Sequence, residues 1–222
     1  MINENIIKWD MSPDEIEEES FRRIELEADR GAFTDREWRV VRRLIHTTAN
    51  FSVAGFVKFA DDPVAAGIAA MKDGAPIYCD SNMIRSGISV AKLKKFNPAY
   101  ERDSICCLVD NKDVAAESAR IGHTRALIAV EKARHVIDGG IVLIGNAPLA
   151  LAKLALMIGE GIRPRLVIGM PVGFVNVVES KKLIMQTDVP RIVVEGRLGG
   201  STMAVAALHA IMESDSCLMN EA

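Results

Sequence analysis

The sequence predicts a three-layer α/β/α sandwich built on a parallel sheet. Five short apolar runs of strand length follow one another along the chain, at residues 76–80, 105–110, 141–146, 165–171 and 191–196. Most of them are bounded by Gly, Asp or Asn, and helical stretches separate them. This alternation favours parallel strands with crossover helices over hairpins, so we expect helices on both faces of the sheet.

Two helices are expected before the sheet, and each begins with a capping box. The first is Ser12-Pro13-Asp14-Glu15, with proline at the first helical position, and this helix is expected to end at Gly31. The second is Thr34-Asp35-Arg36-Glu37, which is followed by apolar residues at helical spacing. His46 falls in the last turn of that second helix.

The next segments connect these helices to the first predicted parallel strand. Residues 51–59 alternate loosely between apolar and small or polar side chains, which is typical of a short edge strand or of an extended loop. Asp62-Pro63 then caps a helix of small residues that we expect to end at Gly74.

Composition limits the classes of function. The chain has 222 residues and is expected to form a single domain, and a net charge of −3 with 5% aromatic residues argues against nucleic-acid binding. No apolar run approaches the roughly 18 to 20 residues of a membrane span, so a cytoplasmic protein without membrane attachment is expected. The four cysteines lack metal or redox spacing, which predicts no protein-bound metal, and Cys106 and Cys107 are expected to be buried.

Ligands of such sheets collect where strands end and loops enter the next helix. These loops comprise residues 79–83, 145–148, 169–174 and 196–201, and several are rich in glycine. Unpaired backbone N–H groups at the following helix N-termini favour carboxylate or phosphate. The spacing Gly196-x-x-Gly199-Gly200 is a weak phosphate-loop pattern, and a tight turn that allows close packing explains it equally well.

Three polar positions are open to a functional and to a structural interpretation. His46 lies where the helix dipole favours imidazolium, which suits a general acid, although such a histidine also caps a free carbonyl. Arg125 follows Thr124 at a helix start, where a cation gains nothing from the dipole, so it binds a ligand or is simply solvated. Lys181 and Lys182 have the same two interpretations. Signatures of serine hydrolases, P-loop proteins and dinucleotide-binding proteins are absent from the sequence.

Taken together, several segments resemble the precorrin-8X and cobalt-precorrin-8 methylmutase family of cobalamin biosynthesis, from about residue 20 to about residue 212. The likeness leaves residues 1–11 and 214–222 as peripheral tails of a single methylmutase domain. The segments that carry it are Arg42-Arg43-Leu44-Ile45-His46-Thr47-Thr48, Ala65-Ala66-Gly67, Gly74-Ala75-Pro76-Ile77 with Asp80 and Met83, Thr124-Arg125, Gly145-Asn146-Ala147-Pro148, residues 168–174 (IGMPVGF), Glu179-Ser180-Lys181, and Gly196-Arg197 with Gly199-Gly200-Ser201.

The resemblance implies a fold and a reaction. The fold is a flavodoxin-like sheet of five parallel strands in the order 2-1-3-4-5, in a homodimer whose substrate sites lie near the subunit interface. The reaction moves a methyl group from C11 to C12 of ring C of a corrinoid, without a cofactor, and any cobalt belongs to the substrate. His46-Thr47-Thr48 favours the cobalt-precorrin-8 substrate and cobyrinate product. The alternatives are metal-free precorrin-8X giving hydrogenobyrinate, or a non-catalytic module that holds a corrinoid or a flavin.

The resemblance also implies a set of site residues. His46 is the catalytic residue. The remaining positions would hold the substrate and its acidic side chains: Thr47, Arg85, Thr124, Arg125, Gly145, Asn146, Gly173, Ser180, Lys181, Arg197, Gly199, Gly200 and Ser201. Two departures stand out, because the family often has Gly-Asp where this chain has Ala49-Asn50, and a smaller or apolar residue where it has His123.

Overall fold

The computed structural model describes residues 7–215. Its helices are α1 (Pro13–Glu27), α2 (Asp35–Thr48), α3 (Pro63–Lys72), α4 (Asn82–Gly87), α5 (Val90–Phe96), α6 (Lys112–Ile121), α7 (Arg125–Lys132), α8 (Arg134–Ile137), α9 (Pro148–Gly159), α10 (Val177–Ile184) and α11 (Ser201–Met212). Its strands are β1 (Val57–Ala60), β2 (Ile77–Cys79), β3 (Ile105–Cys106), β4 (Ile141–Ile144), β5 (Leu166–Gly169) and β6 (Arg191–Val194). Short 3₁₀ helices span Phe51–Phe56 and Arg102–Ser104.

The sheet is mixed and has six strands in the order β1-β6-β5-β4-β2-β3. Strands β2 to β6 pair in parallel and correspond to the five predicted runs. Numbered among themselves, these parallel strands lie in the order 2-1-3-4-5. The expectation of a sheet with only five strands, all parallel, is therefore wrong, because β1 adds an antiparallel strand beside β6.

Strand β1 lies within residues 51–59, for which the sequence predicted either a short edge strand or an extended loop. The first part of that segment is a 3₁₀ helix, begun by the side chain of Asn50, and only Val57–Ala60 pairs with β6. The register places Val57 opposite Val194 and Ala60 opposite Arg191. Because β1 immediately follows a helical turn and is short, its loose alternation did not by itself decide between strand and loop.

Both predicted capping boxes are present, at Ser12 and at Thr34. Each cap side chain accepts the N–H of the glutamate three residues on, and that glutamate accepts the cap N–H in return. Helix α1 ends at Glu27, before the expected Gly31, and α3 ends at Lys72 rather than Gly74. The two glycines instead lie in the following turns with positive φ.

Alternate residues of each central strand pack into two separate apolar layers. In β4, Ile141 and Leu143 face the layer that contains α2, α3 and α11, whereas Val142 and Ile144 face the layer that contains α9. Both faces of the sheet are thus covered by helices, as expected for three layers. The loops that leave the carboxyl ends of the parallel strands lead to helices of both layers.

Two expectations differ from the structure, one about the burial of two cysteines and one about the C-terminal tail. Cys106 and Cys107 are half-buried rather than buried, because β3 is a two-residue strand at one edge of the sheet. Asp215, within the expected C-terminal tail, is buried and forms an ion pair with Lys72 at 2.7 Å. The rest of the expected tails, residues 1–6 and 216–222, lies outside the described residues. In residues 7–215, each helix is too short or too polar to cross a membrane.

Candidate functional site

His46 lies in the last turn of α2, against helix α1. Its ring meets the ring of Phe21 edge-on, with centroids 5.1 Å apart and an interplanar angle of 74°. The Nδ1 atom of His46 is buried and has no hydrogen-bond partner within residues 7–215. A buried polar atom without a partner costs free energy, and such atoms are often reserved for a ligand. The Nδ1 nitrogen of His46 is therefore a candidate for contact with a ligand.

Two arginines surround the same aromatic ring. The guanidinium groups of Arg42 and Arg43 lie 4.3 and 4.7 Å from the centroid of Phe21. Arg43 also forms ion pairs with Glu17 at 2.6 Å and with Glu213 at 2.5 Å. The Arg43 guanidinium lowers the pKa of the Glu17 carboxyl. Positive charge close to His46 is thus partly neutralised by carboxylates from α1 and from the residue after α11.

A cavity of about 330 Å³ lies between α2, α4, α5 and α11. The predicted site residues Thr47 and Ser201 both line it. His46 does not line the cavity in this conformation, but its neighbours on the helix, Arg43 and Thr47, do. Arg43 and His46 are three residues apart on α2, so the helix that carries the imidazole also forms one wall of the cavity. The remaining lining residues are Met83, Gly87, Lys92, Thr202, Val205, Ala206, His209 and Glu213.

His209 is a member of this cavity that the sequence pattern did not indicate. Its Nε2 atom accepts the backbone N–H of Ser89 at 3.2 Å, and burial lowers the pKa of the imidazole to about 4. His209 is therefore neutral near pH 7, with its proton on Nδ1. The signal in the sequence was weak, because a histidine among the small and apolar residues of an Ala-rich helix is typical of a core position.

Asp80 is a second residue outside the predicted set. It holds the loop of residues 145–147, which we call the first glycine-containing loop. Its carboxylate accepts the N–H groups of Gly145 at 3.0 Å, Asn146 at 2.9 Å and Ala147 at 2.6 Å. Asp80 is 1% exposed. Burial raises the pKa of its carboxyl, and the three amide hydrogen bonds oppose that rise. The expectation that these amides are free for a substrate carboxylate is wrong in this structure, because Asp80 occupies them.

Ser180 and Lys181 lie on α10 and are both 1% exposed. The Ser180 hydroxyl donates to the carbonyl of Val177 at 2.9 Å. The Lys181 ammonium donates to the carbonyls of Gly196 at 2.9 Å and Leu198 at 2.6 Å. Burial lowers the pKa of Lys181 to about 8. Both polar groups thus face the protein interior, and a direct contact of either with a substrate stays a prediction.

The second glycine-containing loop, residues 195–200, connects β6 to α11 and brings other predicted residues to the same edge. Arg197 is exposed, and its guanidinium lies 5.4 Å from the centroid of the Phe174 ring. Gly173 and Arg197 line a cavity of about 290 Å³, together with residues of the loop after β5, residues of the loop after β6, and Phe56. Gly199 approaches the chain so closely that a Cβ atom would lie 2.2 Å from the carbonyl oxygen of Met170. Gly200 donates its N–H to the same oxygen at 2.7 Å.

The first and second loops touch each other at Gly145 and Ser201. A Cβ atom on Gly145 would lie 2.8 Å from the Cα of Ser201 and 3.0 Å from the carbonyl oxygen of Gly200. Ser201 also shares a hydrogen bond with Ser81 between their hydroxyl oxygens, 3.0 Å apart. The fold therefore gathers Thr47, Gly145, Asn146, Gly173, Arg197, Gly199, Gly200 and Ser201 at or beside the carboxyl edge of the sheet.

Three predicted residues are not brought to this group by any described contact. Arg85 on α4 donates to the carbonyl of Ile105 at 3.0 Å and pairs with Asp103 at 3.4 Å. Thr124 caps α7 by accepting the N–H of Leu127, and Arg125 is exposed at the first position of that helix. Their contact with a substrate stays a prediction.

The two sequence departures have simple structural descriptions. Ala49 ends α2 in the left-handed conformation, with φ of 49°, which is the conformation that a glycine at this position adopts without strain. The exit from the helix thus keeps a glycine-type backbone although the residue is alanine. His123 is exposed, and its carbonyl accepts the hydroxyl of Ser118.

Within the part of the chain that the structure describes, no three His, Cys, Asp or Glu side chains are grouped so that they could hold a metal ion. Polar side chains near the carboxyl edge include three kinds. These are the imidazoles of His46 and His209, the guanidinium groups of Arg43 and Arg197, and the hydroxyls of Thr47, Ser201 and Thr202.

Comparisons with known proteins identify the class to which this arrangement belongs. The family model described as CbiC, precorrin-8X methylmutase, matches residues 15–214. A cobalt-precorrin-8 methylmutase of Leptospira interrogans is 41% identical over 207 residues, covering 89% of this chain and 91% of that protein. A precorrin-8X methylmutase of Pseudomonas aeruginosa is 37% identical over 196 residues, covering 87% and 91%.

A solved structure gives the same result for the fold. The crystal structure of precorrin-8X methylmutase from Thermus thermophilus superimposes with a TM-score of 0.81 at 45% identity, covering 89% of this chain and 94% of that one. The class is that of the methylmutases, which are isomerases. The chain belongs to the precorrin-8X methylmutase family, in agreement with the resemblance seen in the sequence.

Proposed function

We propose that this protein is a cobalt-precorrin-8 methylmutase, which moves the methyl group on C11 of ring C to C12 and yields cobyrinate. The observation that carries the proposal is the family match over residues 15–214, in which His46 lies on a helix that lines a cavity and its buried Nδ1 has no hydrogen-bond partner among residues 7–215. The reaction is an isomerisation in which the C11–CH₃ bond breaks and the C12–CH₃ bond forms. It requires no cofactor, and the cobalt enters as part of the substrate.

His46 would act as the acid. A proton given to, or hydrogen-bonded with, the ring C system withdraws electrons from C12, so that the methyl group moves to an electron-poor carbon. Because product and substrate are isomers, any proton that His46 gives must return within the same turnover. Positioned proton transfer of this kind contributes about 10² to 10⁴ in rate. Where cobalt already occupies the ring nitrogen, His46 would act on a carbon or through a hydrogen bond.

The size of the cavity supports a site that two chains complete. At about 330 Å³ it lies near the lower limit of small-molecule sites, which range from about 300 to 1,000 Å³, and a tetrapyrrole with many acidic arms is a large ligand. Large apolar side chains are exposed at the same edge of the sheet, among them Phe174 (83%) and Val175 (76%). Exposed apolar groups of this size mark interaction surfaces. We therefore include a homodimer in the proposal, with the substrate site near its interface.

The metal-free substrate is the second candidate. Its support is that the relatives of Pseudomonas aeruginosa and Thermus thermophilus carry the name precorrin-8X methylmutase. The cobalt form is preferred because the Leptospira protein, at 41% identity, is named for the cobalt substrate, and because Thr47 follows His46.

The proposal is tested by incubating the purified protein separately with cobalt-precorrin-8 and with metal-free precorrin-8X, and by recording absorbance spectra over time. The expected result is a corrin-type spectrum with the cobalt substrate and slower conversion of the metal-free one. Faster conversion of the metal-free substrate would select the second candidate. A reversible spectral shift without a new product would reject catalysis in favour of a binding module, and a yellow protein that ignores corrinoids would indicate a flavin carrier.

A further inference from the structure

The ammonium group of Lys181 is buried without a carboxylate partner among residues 7–215. Among these residues its Nζ atom donates to two carbonyl oxygens, those of Gly196 and Leu198. Burying a cation is unfavourable unless its hydrogen bonds compensate for the lost water. The loop between β6 and α11 supplies both of these bonds, so the position of the cation and the position of that loop depend on each other.

The two held carbonyls flank a single residue, Arg197. Gly196 precedes it and Leu198 follows it, so the ammonium fixes the backbone on both sides of that arginine. The Arg197 side chain itself points outward, where it is exposed and lies over the ring of Phe174. The end of the loop is held separately, because Gly200 donates its N–H to Met170.

We propose that Lys181 is a positioning residue, which pins the backbone on either side of Arg197 so that this guanidinium is presented to an acidic side chain of the substrate. The inference rests on the proposed function. It assigns to Lys181 an action through Arg197 rather than a direct contact with the substrate. Arg197 suits the contact because a guanidinium binds a carboxylate through two parallel hydrogen bonds, which requires a fixed orientation.

The test compares Lys181→Met with Lys182→Met, which removes the exposed lysine next to it and serves as the matched control. Steady-state kinetics with cobalt-precorrin-8 give KM and kcat for each protein. We expect Lys181→Met to raise KM by about tenfold and to change kcat by less than about threefold, because a contact made equally in ground and transition states is weakened. Lys182→Met should match the wild type.

A double-mutant cycle separates positioning from a general loss of structure. If Lys181 acts through Arg197, then Lys181→Met should have little further effect on KM in an Arg197→Ala background. The proposal is overturned if the factor by which KM rises in the double variant equals the product of the factors in the two single variants. An unchanged KM in Lys181→Met would also overturn it.

Amide hydrogen exchange provides a readout that needs no substrate. In Lys181→Met, exchange in residues 195–200 should accelerate by about tenfold, while exchange in β4 and β5 stays at the wild-type rate. Equal acceleration throughout the protein would overturn the proposal. If Lys181→Met does not fold, Lys181→Gln, which keeps a neutral donor, is measured in its place.

Failure of the proposed function is recognised separately. In that case the wild type and Lys182→Met both fail to convert the substrate, whereas failure of the Lys181 proposal leaves conversion by these two proteins intact. Loss of conversion by the wild type would therefore overturn both proposals at once, and normal conversion with normal KM in Lys181→Met would overturn only this one.

Discussion

Two loops at the carboxyl edge of the sheet are held by buried charges of opposite sign. The loop of residues 145–147 is held by the carboxylate of Asp80, which accepts three backbone N–H groups. The loop of residues 195–200 is held by the ammonium of Lys181, which donates to two backbone carbonyls. Each charge is about 1% exposed, and within residues 7–215 neither forms an ion pair.

The sign of the buried charge decides which backbone groups remain for a ligand. Asp80 occupies the amides of its loop, so that loop offers little to an anionic substrate. Lys181 occupies carbonyls, so the loop it holds keeps its positive side chain, Arg197, outward. For a substrate with acidic arms, we therefore expect the binding groups to come from the second loop and the first loop to act as its support.

The largest effect should come from removing the carboxylate. Asp80→Ala leaves three buried N–H groups without an acceptor, and we expect the free energy of unfolding to fall by about 3 to 5 kcal/mol. Urea denaturation measures this change. Asp188→Ala removes an exposed aspartate and should cost less than about 0.5 kcal/mol. A loss below about 1 kcal/mol in Asp80→Ala would mean that the first loop does not depend on this charge.

A smaller effect is expected where the two loops touch. In Gly145→Ala the new Cβ would meet the Cα of Ser201 at 2.8 Å, which is backbone that cannot move aside cheaply. We expect a loss of about 1 to 3 kcal/mol in urea denaturation. Gly159→Ala is the matched control, because nothing lies within 4 Å of its Cβ and alanine favours the helix. Equal stability of the two variants would show that the loops do not rest on each other.

The third effect is a pH dependence that distinguishes the cation-held loop, and per pH unit it is the smallest of the three. The pKa of Lys181 is lowered from 10.5 to about 8 in the folded protein, so between these values the unfolded chain binds more protons than the folded one. The wild type should therefore gain stability relative to Lys181→Met as pH rises from 8 to 10.5, by up to about 1.4 kcal/mol per pH unit. Urea denaturation of both proteins at several pH values measures the difference. A difference that is constant or falls with pH would contradict this assignment.

Much of the fold follows from local patterns. The capping boxes at Ser12 and Thr34, and the five parallel strands, depend on residues near one another in the sequence, and all of them are present. Strand β1 is different, because Val57–Ala60 becomes a strand only by pairing with Arg191–Val194, far along the chain. The pattern of residues 51–59 alone gives no information about that partner strand.

The candidate site was predictable to the level of loops but not of individual bonds. The rule that ligands collect at the carboxyl ends of strands led to Gly145, Arg197 and Ser201. It did not reveal that Asp80 occupies the amides of the first loop, since this bond joins β2 to the loop after β4. One signal was present, because Ala147 precedes α9 without a capping side chain, so an acceptor had to come from elsewhere.

The most direct test of the account is single-turnover conversion of cobalt-precorrin-8 by His46→Ala, with His135→Ala, an exposed histidine, as control. The account predicts that His46→Ala binds the substrate with an affinity close to that of the wild type, while the rate of corrin formation falls by about 10² to 10⁴. His135→Ala should convert at the wild-type rate. Corrin formation by His46→Ala within a few-fold of the wild-type rate would contradict the assignment of His46 as the acid.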